Sequence, residues 1–137
     1  MLQFYFLSIL CNTLTGLTLV FMDEDGVPDG KAAVGWLFRN AIFHLITGIL
    51  TVLVGVLKIL PGIQANHVFL FGDFLPVAAG LAGGFAVLLG AYRASASADV
   101  PLSPAVSRVF VQGKKYIGIG CIVVSVLHFI FPHVLFL

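Results

Sequence analysis

Four polar residues interrupt otherwise apolar stretches of this sequence: Asn12, Lys58, Asp73 and His128. Amide, ammonium, carboxylate and imidazole groups bind or relay protons and ions, and in lipid such side chains are costly enough to be functional hypotheses by default. One interpretation is that the four side chains line an outward-facing polar cavity for protons, ions or a small solute. For each of the three ionisable residues, a purely structural role is the alternative, and the sequence does not decide between the two.

Lys58 precedes a Pro-Gly pair and lies in the last turn of its predicted helix. There its side chain can extend to water and complement the negative end of the helix dipole. Asp73 stands three residues before Pro76, which is the pattern of a helix N-cap. If that helix instead begins near His67, Asp73 becomes an acid embedded in the membrane.

His128 lies past the middle of the last apolar run, and Pro132 has no N–H to bond the His128 carbonyl. A kink there would place a polar carbonyl beside an imidazole, as proton and ion pathways often require. The alternative is that the imidazole donates a hydrogen bond to a neighbouring carbonyl or to Asn12.

The composition indicates where these residues must reside. Hydrophobic residues make up 60% of the 137 and charged residues 9%, whereas a soluble domain has about 25% charged residues. A soluble fold of this size cannot hide so much apolar surface, and a disordered chain would be poor in hydrophobics. The net charge of +1 gives no electrostatic footprint for nucleic acid. The lipid bilayer is therefore the expected partner.

Uncharged runs of 22, 18, 19 and 22 residues separate the charged segments. A helix needs roughly 20 apolar residues to cross the hydrocarbon core. We therefore predict an all-α integral membrane protein, a single domain (1–137) forming a bundle of four transmembrane helices. The expected spans are about 2–22, 38–60, 73–92 and 115–136.

Positive charge predicts the orientation of this bundle. Four spans place loops 23–37 and 93–114 on one side, and loop 61–72 with both termini on the other. Basic residues favour the cytoplasmic side, and six of the seven lie on the first: Lys31, Arg39, Arg93, Arg108, Lys114 and Lys115. We therefore expect both termini outside, the two basic loops in the cytoplasm, and the plasma (inner) membrane as the location.

Residues 48–59 resemble residues 118–129, and Leu7–Phe21 can be laid on Leu75–Leu89 with Gly16 meeting Gly84. A real duplication would make each half a two-helix hairpin, related to the other by an axis along the membrane normal. It would also place Lys58 and His128 at equivalent depths, although membrane helices use so few residue types that chance matches are common. The first alignment has five identities: Gly48/Gly118, Ile49/Ile119, Val54/Val124, Val56/Val126 and Leu57/Leu127.

Two kinds of helix face predict packing. The first helix carries a stripe at three- and four-residue spacing that should point into the bundle: Ser8, Cys11, Asn12, Thr15, Thr18 and Met22. The third helix has two ridges of small residues, which permit close backbone approach: Gly80 with Gly84, and Ala82, Ala86 and Gly90. One ridge can pack against a helix of the same chain while the other packs against a second copy or a membrane partner. Alternatively, both ridges pack within the chain.

The segment before the last span predicts a short helix opened by Ser103-Pro104 as cap and first turn. Its apolar side chains, Val106, Val109 and Phe110, would rest on the bilayer surface while Arg108 reaches lipid phosphates. No catalytic residues, metal site or cofactor site are predicted, because no Ser/His/Asp set, carboxylate pair or Cys/His spacing falls at one depth. We therefore do not expect an enzyme.

The series Arg39, Gly48, Gly55, Lys58 and Pro61 resembles, over about one helix, the glycine–lysine signature of small four-helix DoxX-like membrane proteins. That signature belongs to the first helix of the family, whereas here it falls on the second. The resemblance implies a redox-linked membrane accessory protein. From the sequence we expect first an interaction or accessory subunit acting through helix contacts, second a small transporter or channel, and third this redox-linked role.

Overall fold

The computed structural model describes residues 2–22, 40–64, 74–96 and 101–131, and 92% of these residues are helical. The helices are α1 (Leu2–Phe21), α2 (Ala41–Gln64), α3 (Phe74–Ser95), α4 (Pro104–Gln112) and α5 (Lys114–Ile130). Among the described residues, α1, α2 and α3 are long and apolar enough to cross a membrane. The pair α4 and α5 would make a fourth span, broken by a bend of 56°.

The second helix runs further than predicted. It continues through Pro61 to Gln64, so Lys58 lies six residues before the helix end and not in its last turn. Proline removes one helical hydrogen bond, here the one to the Leu57 carbonyl, but this loss near the end of the helix does not stop its final turn. The expected effect of the helix dipole on Lys58 is correspondingly weaker.

The last helix is preceded by a bend that the sequence did not predict, and residues 132–136 of the predicted 115–136 span lie outside the described residues. The α4 segment begins with Pro104 in its first turn, as expected, but the Ser103 side chain caps no backbone group among the described residues. Residues Ser107–Gln112 then form a π-helix, closed by a 3.1 Å bond from the Gly113 N–H to the Arg108 carbonyl. The chain bends at Gly113, and α5 ends at Ile130.

Phe110 also departs from its expected place on the bilayer surface. Its ring packs edge-on against Phe85 at 4.9 Å between centroids. It also contacts the cluster of Leu19, Ala86 and Val87. The reason is the bend before α5, which turns this side of α4 toward the bundle, while Val109 stays half exposed.

The long helices form two closely packed antiparallel pairs. Helix α1 packs along α5, and α2 packs along α3. Helices α1 and α3 also contact each other, α1 contacts α2, and α3 contacts α5. Helices α2 and α5 therefore lie on opposite sides of the α1–α3 contact.

Polar side chains fill much of the interior, and large apolar side chains cover the outside. The predicted stripe on α1 is confirmed, because all six of its residues are buried. The other buried polar residues are His44, Thr47, Thr51, Lys114, Ser125 and His128. Two dozen large hydrophobic side chains are exposed, among them Phe6, Ile42 and Tyr116, which reverses the usual distribution in a water-soluble domain.

Glycine pairs let the backbones of both close helix pairs approach. A Cβ atom on Gly16 would lie 2.6 Å from the Gly118 carbonyl oxygen, and one on Gly84 would lie 3.1 Å from the Gly48 carbonyl oxygen. In the sequence, Gly16 aligns with Gly84 and Gly48 with Gly118. The two closest backbone contacts thus occupy equivalent positions in the two halves of the chain.

Candidate functional site

Lys58 and His128 meet inside the bundle. The Lys58 Nζ lies 3.4 Å from the His128 Nε2, although their helices, α2 and α5, lie on opposite sides of the α1–α3 contact. The Lys58 side chain bridges that gap because its four-carbon stem is long. His128 is only 1% exposed. An ammonium group can only donate, so in this contact Lys58 donates and the unprotonated Nε2 accepts.

Tyr5 on α1 contacts His128 through both its hydroxyl and its ring. Its hydroxyl donates to the His128 carbonyl, and its ring lies 4.7 Å from the imidazole, centroid to centroid. The His128 carbonyl is the group that the sequence analysis predicted to be left open by Pro132, but Tyr5 occupies it. Helix α5 ends before Pro132, which itself lies outside the described residues. The predicted kink at Pro132 is therefore outside the described residues, and the His128 carbonyl has a hydrogen bond from Tyr5.

Asn12 serves a different contact. Its Nδ2 donates to the Pro76 carbonyl at 2.9 Å, and a Cβ atom on Gly80 would lie 2.9 Å from its Oδ1. Asn12 therefore joins α1 to α3, about 10 Å along α1 from Tyr5. Of the predicted cavity residues, the structure brings Lys58 and His128 together and places Asn12 deeper in the bundle. Asp73 lies outside the described residues, as does His67.

A group of hydroxyls lies beneath the Lys58–His128 contact. The Oγ1 atoms of Thr15 and Thr51 are 2.7 Å apart, and Thr51 donates to the Thr47 carbonyl at 2.7 Å. Because a hydroxyl has one proton, Thr15 must then be the donor to Thr51. The Ser125 hydroxyl, one turn from His128, is fully buried and has no hydrogen-bond partner among the described residues.

A second pair of contacts with backbone carbonyls follows the alignment of the two halves, although only the thiol donates a hydrogen bond here, since the Thr51 proton goes to the Thr47 carbonyl. The Thr51 hydroxyl lies 3.5 Å from the Cys11 carbonyl, and the Cys121 thiol donates to the Ala79 carbonyl at 3.2 Å. Thr51 aligns with Cys121, and Cys11 aligns with Ala79. The two contacts are therefore equivalent, with a thiol in one half where the other has a hydroxyl.

The small residues of α3 pack mainly within the chain. Gly80 faces Asn12 and Thr51, and Gly84 faces α2. Ala86 is 3% exposed and belongs to the apolar core. Ala82 and Gly90 are half-buried. The first ridge is thus filled by α1 and α2, and the second retains some surface.

Three residues of the interior were not among the predicted site residues: His44 and Lys114, which are buried, and Tyr5, which is half-buried. In the sequence, Lys114 was counted only among the basic residues of the cytoplasmic side. The alignment of residues 48–59 with 118–129 could have found Lys114, because the same offset of 70 pairs it with His44. No group of three or more His, Cys, Asp or Glu that could hold a metal ion lies in the described parts of the chain.

Comparison with known proteins places the chain in a family. No solved structure matches it. A protein-family model matches residues 1–128. An uncharacterized protein of Treponema pallidum (strain Nichols) is 33% identical over 139 residues, covering all of both chains. The chain therefore belongs to the family that this model describes, and to the same family as the Treponema pallidum protein.

Proposed function

We propose that this protein crosses the membrane four times, with α5 as the membrane-crossing part of the bent α4–α5 pair and α4 in the cytoplasmic segment 93–114. The polar interior and apolar exterior support this arrangement, because lipid is as apolar as the side chains that face it. The six basic residues in or next to loops 23–37 and 93–114 support a cytoplasmic position for those loops and outer termini. The plasma (inner) membrane is the proposed location.

We further propose that the four spans are two tandem hairpins, α1–α2 and α3–α5, related by a pseudo-two-fold axis along the membrane normal. The equivalent glycine pairs Gly16–Gly118 and Gly84–Gly48 support this symmetry. Lys58 and His128 are equivalent under the same alignment. Two equivalent residues that touch each other must lie near the axis, and the 3.4 Å contact meets this condition.

The function that we propose is transport of protons through the polar interior, with Lys58 and His128 as the outer proton-exchanging pair. The single observation that carries this proposal is the contact between the ammonium of the half-buried Lys58 and a nitrogen of the buried His128 imidazole. A proton on Lys58 Nζ can move to His128 Nε2 along this contact and return, leaving the total charge of the pair unchanged. Structural packing alone would not need two ionisable groups at one buried point.

Reconstituted vesicles test this proposal. Purified protein in liposomes with an entrapped pH dye, under an imposed pH gradient and with valinomycin for charge balance, should conduct protons. We expect His128→Gln and Lys58→Arg to reduce the flux at least tenfold. Glutamine cannot exchange a proton and arginine does not release one, yet both keep polarity and approximate size. Lys115→Met, which changes an exposed neighbour of Lys114, is the control and should conduct normally.

Absence of flux for protons, Na⁺, K⁺ and Cl⁻ in the unmodified protein would remove the transport proposal. Flux that survives both His128→Gln and Lys58→Arg would remove the role of the pair. Asp73, predicted to share the same cavity, is tested by Asp73→Asn in the same assay.

An interaction or accessory subunit is the second candidate. The half-buried positions Ala82 and Gly90 support it, because a small-residue surface lets a second helix approach. Extraction in a mild detergent should then retain a stable partner or a second copy, and Ala82→Leu should release it. Recovery of monomers alone would contradict this role. The redox-linked accessory role implied by the DoxX-like resemblance stays a prediction.

A further inference from the structure

His44 and Lys114 are buried near the other end of the same two helices. His44 is 1% exposed and Lys114 is 5% exposed. They are 70 residues apart in sequence, the same offset that relates Lys58 to His128. Helix α2 therefore carries histidine then lysine, and α5 carries lysine then histidine. In each helix the two residues are 14 positions apart.

This spacing places the two ionisable residues of each helix on the same face of that helix. Fourteen residues are close to four turns, so the two ionisable residues of a helix face nearly the same direction and lie about 21 Å apart. Midway between them come Thr51 on α2 and Cys121 on α5, each seven residues from either end. Both midpoint side chains are buried. The stripe is thus polar at its two ends and at its centre.

Hydroxyl groups occupy the interior between these ends. Thr47 lies one turn from His44, and Thr51 bonds both the Thr47 carbonyl and Thr15. On the outer side, the buried Ser125 hydroxyl has no partner within the described residues. A buried hydroxyl without a partner costs free energy unless water or a ligand supplies one. Ser125 therefore marks a position for a water molecule next to His128.

We propose that His44 and Lys114 form an inner proton-exchanging station on the same path that has Lys58 and His128 at its outer end. This inference rests on the proposed proton transport. A proton entering at one station is passed along hydroxyls and water and leaves from the other, so that each group regains its starting charge. A lysine and a histidine at each end of this polar stripe, all buried except the half-buried Lys58, give each membrane face a group that can accept and release a proton.

We call the stripe of polar residues that runs from His44 and Lys114 to Lys58 and His128 the polar column. Among the described residues, few other ionisable side chains lie near it. Those on α1 are Tyr5, which contacts His128, and Cys11. On α3, Tyr92 is 62% exposed and Arg93 is half-buried. Arg108 on α4 is exposed, as are Lys115 and Tyr116 on α5, whose Cys121 is buried.

The same vesicle assay tests this inference separately from the proposed function, because here His44 and Lys114 are changed while Lys58 and His128 are kept. We expect His44→Gln and Lys114→Arg each to reduce proton flux at least tenfold, while Lys115→Arg keeps it within twofold of the unmodified protein. Lys114→Arg is the decisive variant. If Lys114 only supplies a structural charge, arginine rescues it and flux is retained; if Lys114 must release a proton, flux is lost although the protein remains folded.

Folding is checked by gel filtration and thermal unfolding in the same detergent. If Lys114→Arg does not fold, the exchange variant His44→Lys/Lys114→His replaces it, since it keeps one lysine and one histidine at this end. That variant should conduct within threefold of the unmodified protein, and tenfold lower flux would overturn the inference. Loss of flux in the outer variants with normal flux in His44→Gln and Lys114→Arg would also overturn it, leaving the proposed function intact. A non-conducting unmodified protein would overturn both.

Discussion

Gly16 and Gly118 bring the backbones of α1 and α5 into direct contact, because neither residue has a side chain between the helices. A Cβ atom on Gly16 would be 2.6 Å from both the Gly118 carbonyl oxygen and the Ile122 Cγ1. A backbone atom cannot move aside as a flexible side chain can. The position of α5, and with it the position of His128, therefore depends on this glycine.

Gly16→Ala should destabilise the bundle strongly. Overpacking in a close-packed interior costs about 1–3 kcal/mol, and contact with a backbone oxygen places this site at the upper end. The measurement is thermal or SDS-induced unfolding of the purified protein in detergent. Gly120→Ala is the matched control, since a Cβ atom there meets nothing within 4 Å. Equal stability of the two variants would contradict the close packing of α1 and α5.

The Thr15–Thr51 hydrogen bond predicts coupling between α1 and α2. Replacing either residue by valine keeps the shape but removes a hydroxyl, and hydrogen bonds between membrane helices average about 0.6 kcal/mol. The single variants Thr15→Val and Thr51→Val should each destabilise, and the double variant should destabilise by less than their sum. Thr18→Val is the control, because the Thr18 hydroxyl bonds the Leu14 carbonyl of its own helix. Full additivity would exclude the shared bond.

Tyr5→Phe removes the hydroxyl that donates to the His128 carbonyl but keeps the ring against the imidazole. We expect a loss of about 0.5–1.5 kcal/mol in the free energy of unfolding, the usual net value of one hydrogen bond. Tyr92→Phe provides the comparison, because Tyr92 is 62% exposed and should tolerate the change. Unchanged stability of Tyr5→Phe would show that the end of α5 does not need this donor.

Cysteine labelling tests the orientation. In a background with Cys11→Ala and Cys121→Ser, single cysteines are introduced as Gln3→Cys and Lys115→Cys, both at exposed positions. A membrane-impermeant maleimide applied to cells with a permeabilised outer membrane should label position 3 and leave position 115 unmodified until lysis. Labelling of Lys115→Cys from outside would reverse the topology and exchange the outer and inner ends of the polar column.

The local pattern of residues was sufficient for much of the architecture. Uncharged runs located four apolar segments, and three- and four-residue spacing correctly identified the buried stripe of α1. Both follow from the rise and twist of a single helix, which depend on nearby residues alone. Helix ends were less accurate, as in the extension of α2 beyond Pro61, because a proline near the end of a helix removes only one backbone hydrogen bond.

The contacts that matter for the proposed function arose only from the arrangement of helices. The GxxxG pattern of Gly80 and Gly84 predicts close approach but does not name the helix that approaches. Lys58 and His128 are 70 residues apart, and their contact depends on how α2 and α5 are rotated and on the reach of the lysine side chain. The bend at Gly113 likewise turned Phe110 inward. Residue types and spacing specify each helix and its polar face, whereas pairwise packing of all the helices decides which faces meet, since that depends on interactions among residues far apart in the chain.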